Sequence, residues 1–98
     1  MMEFLVQFEV EIPDGVSVAD VGDRERAEAA AAESLAEQGH LIRLWKVTTG
    51  DGLTTVLGLY RAGSRVELEA LLVALPLYEW MRTSITPLVQ HPNDPART

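Results

Sequence analysis

Apolar and polar side chains alternate along the start of the chain. From Glu3 to Ile12, Phe4, Val6, Phe8, Val10 and Ile12 fall on one face. Glu3, Gln7, Glu9 and Glu11 fall on the other, and only Leu5 breaks the rule. Period two predicts a half-buried strand. Pro13-Asp14-Gly15 reads as the turn that ends it, since proline fixes φ and glycine tolerates φ > 0. The period then lengthens, and Ser17 to Gln38 is predicted helical. Ser17 is placed to cap the N-terminus with Asp20 three residues on, the Ala27–Ala32 run has high helix propensity, and Gly39 suits the position after the end. His40–Thr48 and Leu53–Tyr60 are predicted strands joined by a Thr49-Gly50-Asp51-Gly52 hairpin turn. Apolar residues occur on both faces of this pair, as expected where helices or another subunit cover them.

Ser64-Arg65-Val66-Glu67 has the form of a capping box, and the spacing predicts a second helix over Ser64–Ala74. Its apolar face is expected to carry Val66, Leu68, Leu71, Leu72 and Leu75, with Pro76 as the stop. Tyr78–Leu88 is a fourth strand, with Pro87 confining its end to a sheet edge. The order β-α-β-β-α-β predicts an α+β, ferredoxin-like fold: a four-stranded antiparallel sheet with two helices on one face. The other face is left open, so a homo-oligomer is expected. The 98 residues make one domain, 1–98, in which the polar, proline-containing stretch 89–98 is a C-terminal arm.

Composition narrows the function. Eight Lys+Arg against fifteen Asp+Glu give a net charge of −7, which disfavours nucleic acid and anionic membrane surfaces as partners. Without cysteine there is neither a disulfide nor thiol chemistry. No apolar run is long enough to span a bilayer and no signal peptide is visible, so a cytoplasmic location is expected. His40 and His91 lack metal-ligand spacing, and no phosphate loop, nucleotide fingerprint or nucleophile elbow occurs. No metal or cofactor is expected.

The informative feature is in the first predicted helix. At 100° per residue its apolar stripe is Val18, Val21, Ala32, Leu35 and Ala36, and Glu25 and Glu28 fall within it. Glu28 lies between Val21 and Leu35, whereas Asp23, Glu33 and Glu37 face solvent. A carboxylate turned toward a sheet loses water, and its pKa is expected to rise into the range useful to a general base or acid. Otherwise Glu28 is a boundary residue that snorkels or pairs with Arg43 or Lys46 on the second strand. Arg43 and Lys46 lie on opposite strand faces, so one of them points to the helices and is placed to pair with Glu28 or to hold an anionic substrate. Trp45 and Trp80 are either pocket walls or, more commonly for tryptophan, core or subunit-interface residues.

Several segments, in order, resemble a known family. They are the Phe4–Pro13 strand and turn, Gly39 followed by Leu44-Trp45-Lys46, Leu75-Pro76-Leu77-Tyr78 with Met81, and His91-Pro92. Together they are similar to the muconolactone isomerase family, nearly end to end. The resemblance implies the ferredoxin-like fold, a homo-oligomer of dimer building blocks up to a decamer, and a proton shift within an unsaturated lactone without metal or cofactor. It puts Glu28 at the position of the family's proton-shuttling glutamate. From the residues themselves, a small-molecule site is expected in which Arg43, Trp45 and Lys46 meet the substrate, and the polar tail together with the resemblance adds His91, closing the pocket from a neighbouring subunit. Asp51 and Leu53 stand where the family has a Tyr and an Asn, and Arg43 stands where it has a His. The expected reaction is muconolactone to 3-oxoadipate enol-lactone or that of a related compound. The alternatives are an isomerase or cyclase of secondary metabolism acting on a polyketide-like unsaturated carbonyl substrate, and a non-catalytic oligomeric ligand-binding protein.

Overall fold

A computed structural model describes residues 1–48, 50 and 54–96. The elements run β1 (Met2–Val10), α1 (Val18–Glu37), β2 (Leu41–Thr48), β3 (Thr54–Ala62), α2 (Arg65–Val73) and β4 (Met81–Leu88). The sheet order is β2-β3-β1-β4, and each neighbouring pair is antiparallel. This is the ferredoxin-like α+β arrangement expected from the sequence. Of the predicted Thr49–Gly52 hairpin turn, all but Gly50 lies outside the described residues, as does Leu53.

Local chemistry sets the helix ends. The Ser17 hydroxyl accepts from the Asp20 amide at 3.1 Å, and the Ser64 hydroxyl accepts from the Glu67 amide at 3.1 Å. At the C-terminus of α1, the Gly39 amide donates to Ala36 O and the His40 amide to Leu35 O. Gly39 takes φ +81°, so the helix closes in a Schellman motif that a side chain at this position would strain. The imidazole of His40 then bonds the Arg61 carbonyl at 2.8 Å and fastens the start of β2 to the end of β3.

The core lies between the helices and one sheet face. Phe4, Val6 and Phe8 of β1 meet Tyr60 and Ala62 of β3, Leu35 of α1, and Leu68, Leu72 and Leu75. Burying a side chain of this size contributes about 1.5–3 kcal/mol relative to exposure. On the opposite sheet face Leu5, Leu57 and Leu59 stay half-exposed and Trp45 and Val47 are exposed.

Three expectations are corrected. Val66 is 76% exposed, because it lies about 160° around α2 from Leu68. Val18 is 90% exposed, since the first helical residue extends past the covered surface. Tyr78–Trp80 is a 3-10 turn rather than the start of β4. The turn closes through Tyr78 N–H to Leu75 O and Trp80 N–H to Leu77 O, and extended pairing begins only at Met81.

Candidate active site

The half-buried line along α1 runs Val21, Arg24, Glu28, Ala31 and Leu35, with Ala32 beside it. Two charged residues on that line grip one peptide group. Arg24 Nη1 donates to Pro76 O at 3.1 Å, and Glu28 Oε1 accepts from the Leu77 amide at 3.0 Å. Pro76 O and Leu77 N–H belong to the same peptide unit, so α1 holds it from both ends. The Arg24 guanidinium also pairs with Glu79 and lies 4.5 Å from the Trp80 ring centroid. Among the described residues, Glu28 therefore neither snorkels nor pairs with a sheet cation. One oxygen is fixed by a main-chain donor, and the other is outside that bond.

Glu28 opens on a cleft of about 510 Å3 between α1 and the sheet. Ala29 and Ala32 form its helix side, and Phe8, Leu44, Val56 and Met81 give it an apolar floor. Leu77 borders it, and the polar groups that converge there are Glu25, Glu28, Lys46 and Tyr60. A wall of small alanines keeps the cleft open, and a few polar groups in an apolar surround is the usual make-up of a small-molecule site. A larger groove of about 720 Å3 passes Glu9, Glu11, Asp14 and Glu79, but Glu28 does not line it.

The strand register distributes the other predicted site residues. Leu44 pairs with Gly58 and Lys46 with Val56, which puts Lys46 on the Tyr60 face, toward α1. Arg43 pairs with Leu59 and Trp45 with Leu57, on the other face. There the Arg43 guanidinium lies 5.3 Å from the Trp45 ring centroid. The β-irregularity between Leu41 and Arg43 sets this parity. His91 follows the end of β4 at Leu88, which pairs with Glu3, whereas the cleft lies at the Met81–Val10 end. That is about 23 Å along the strand. The structure thus brings Glu28 and Lys46 together and leaves Arg43, Trp45 and His91 away from them within one chain.

Sequence reasoning missed two residues here. Arg24 is one turn before Glu28, and the three-four spacing from Val21 to Leu35 runs through it. Tyr60 shares a strand face with Val56 and Gly58, and a glycine inside a strand marks a close approach. A Cβ on Gly58 would stand 2.5 Å from Tyr60 Cε1, so the missing side chain makes room for the phenol ring. Burial, and secondarily the charge of Glu28, pushes the Tyr60 phenol up to about 12.

Residues 2–94 match the family model described as muconolactone delta-isomerase. The chain is 33% identical over 92 residues to a muconolactone delta-isomerase of Cupriavidus pinatubonensis, covering 94% of this chain and 97% of that one. It is 29% identical to muconolactone delta-isomerase 1 of Acinetobacter lwoffii, over 94% of this chain and 93% of that one. A crystal structure of muconolactone isomerase superposes with a TM-score of 0.84, at 24% identity, over 99% of this chain and 98% of the other. By fold, sequence and extent of match, this chain belongs to the muconolactone delta-isomerase family.

Proposed function

We propose that the chain is an intramolecular isomerase that moves a proton within an unsaturated lactone, muconolactone or a close relative, with Glu28 as the proton carrier. The observation that carries this reading is a carboxylate fixed by the Leu77 amide at the edge of an apolar cleft that also holds Lys46. As carboxylate, Glu28 takes a proton activated by the conjugated carbonyl. The C–H bonding pair moves through the conjugated system to the carbonyl oxygen, giving a dienolate. The new carboxylic acid then returns the proton to a different carbon on the same face, and the electron pair flows back. One group serves as base and then acid, so the two steps need no cofactor. Lys46 supplies positive charge to the substrate anion.

In this reading the chain is one domain, with residues 89–98 as an arm, and it works as a cytoplasmic homo-oligomer. Arg43, Trp45 and His91 then act on substrate only where a neighbouring copy presents them. The cleft volume of about 510 Å3 also favours a bulkier, polyketide-like carbonyl compound as a second reading. Direct assay with muconolactone separates the two.

Glu28→Gln keeps the side chain's shape and its acceptor oxygen for Leu77 but cannot carry the proton. Turnover is expected to fall by roughly 10²–10⁴ or more, while circular dichroism and assembly stay unchanged. Undiminished turnover would discard Glu28 as the proton carrier.

A further inference from the structure

The cleft contains a phenol that the proton shift above does not use. Tyr60 is only 3% exposed, yet it lines the Glu28 cleft. No hydrogen bond of its hydroxyl occurs among the described residues, where no sealed side-chain polar atom lacks a partner. The hydroxyl oxygen therefore opens on the cleft. Its ring is held in place. It lies over Gly58, and it meets Phe8 edge-on, with centroids 6.1 Å apart and planes at 64°. Buried tyrosine hydroxyls usually find a partner, so one whose ring is held in place, that has no partner among the described residues and that faces a ligand cleft is preorganised for the ligand.

Resting on the reading of Glu28 as proton carrier, we propose that Tyr60 is a second catalytic residue, whose hydroxyl donates a hydrogen bond to the lactone carbonyl oxygen as the dienolate forms. Glu28 breaks the C–H bond and keeps the proton. The electron pair arrives at the carbonyl oxygen, where the Tyr60 O–H is already pointed. The phenol proton stays on Tyr60 throughout, and the bond relaxes when Glu28 returns its proton to carbon. Tyr60 is neutral at any pH near 7, so it meets the growing negative charge as a donor and not as a second anion. Donors fixed in advance where charge develops act mainly on the transition state. Lys46 attracts the substrate from a flexible stem, whereas Tyr60 contributes direction.

The test compares wild type, Tyr60→Phe and Glu28→Gln in conversion of muconolactone to the enol-lactone. Tyr60→Phe is expected to lower kcat by about 10²-fold and to change KM by less than about threefold. Its melting temperature is expected to stay at or above wild type, because the hydroxyl makes no hydrogen bond among the described residues and phenylalanine fills the same space. A purely structural role predicts no kinetic loss under those conditions. Muconolactone added to Glu28→Gln is expected to shift the near-ultraviolet phenol band, and Tyr60→Phe in the same background abolishes the shift. A Tyr60→Phe enzyme with kcat within about twofold of wild type, alongside an inactive Glu28→Gln, overturns the Tyr60 proposal alone. Substrate bound to Glu28→Gln with the phenol band unmoved does the same. An active Glu28→Gln overturns the underlying reading instead.

Discussion

Replacing Arg24 with methionine removes one end of the grip on the Pro76–Leu77 peptide and keeps the aliphatic stem. Three interactions go with it. The charged hydrogen bond to Pro76 O, at 3.1 Å and partly buried, is worth about 1.5–3 kcal/mol. The cation over Trp80, at 4.5 Å, adds about 0.5–1 kcal/mol. The pair with Glu79 adds at most about 1 kcal/mol, because the two side chains are 38% and 61% exposed. The terms share one side chain and do not sum fully, so the expected loss is about 2–3 kcal/mol. For a domain of this size that is about 10–20 °C in Tm, read by thermal melts followed by circular dichroism. Well below the melting range, kcat is expected to fall about tenfold with a smaller change in KM, since the peptide that holds Glu28 is no longer held itself. Arg24→Lys keeps the charge near Glu79 and Trp80 and recovers part of both losses. An Arg24→Met protein that melts within about 2 °C of wild type and turns over at the same rate refutes the two-ended grip.

Other outcomes follow from burial and ionisation. The Tyr60 phenol ionises near 12 in the fold and near 10 unfolded. Its contribution is therefore fully present below about pH 10 and is lost as pH rises toward 12, on the order of 3 kcal/mol in all. Urea melts at pH 9 and 11 should show part of this loss in wild type and lack it in Tyr60→Phe; equal slopes in the two proteins reject it. Leu68→Ala, at a fully buried position, should cost about 2–5 kcal/mol in urea unfolding. Val66→Ala, two residues away and exposed, should stay within about 0.5 kcal/mol.

The strands and helices were legible because their local signals agree with their burial. The alternation of Phe4, Val6 and Phe8, the serine caps at 17 and 64, and Gly39 all act within a few residues of themselves. Errors arose where position in the fold overrides pattern. Val66 reads as part of an apolar face because β-branched and leucine residues crowd that helix, yet it points away from the sheet. Tyr78–Trp80 reads as strand because aromatic residues favour extension, but the peptide pinned by Arg24 and Glu28 turns the chain there first. The turn of Glu28 toward the sheet was legible from its angle on the helix. Its partner was not, because a main-chain amide 49 residues later leaves no trace in side-chain spacing. The role proposed for Tyr60 was not legible for a related reason: it rests on a hydroxyl that makes no hydrogen bond among the described residues, which only the fold reveals.

The hold on Glu28 comes from backbone, not from a side chain. Every residue except proline offers the same N–H at position 77, so the identity of that side chain is uncoupled from the orientation of the acid. Leu77 borders the cleft as well. In the proposed reading, exchanging it reshapes the walls that meet a substrate while the acid that carries the proton keeps its main-chain hold. On that reading selectivity and chemistry sit on two parts of one residue, and the first can drift without disabling the second.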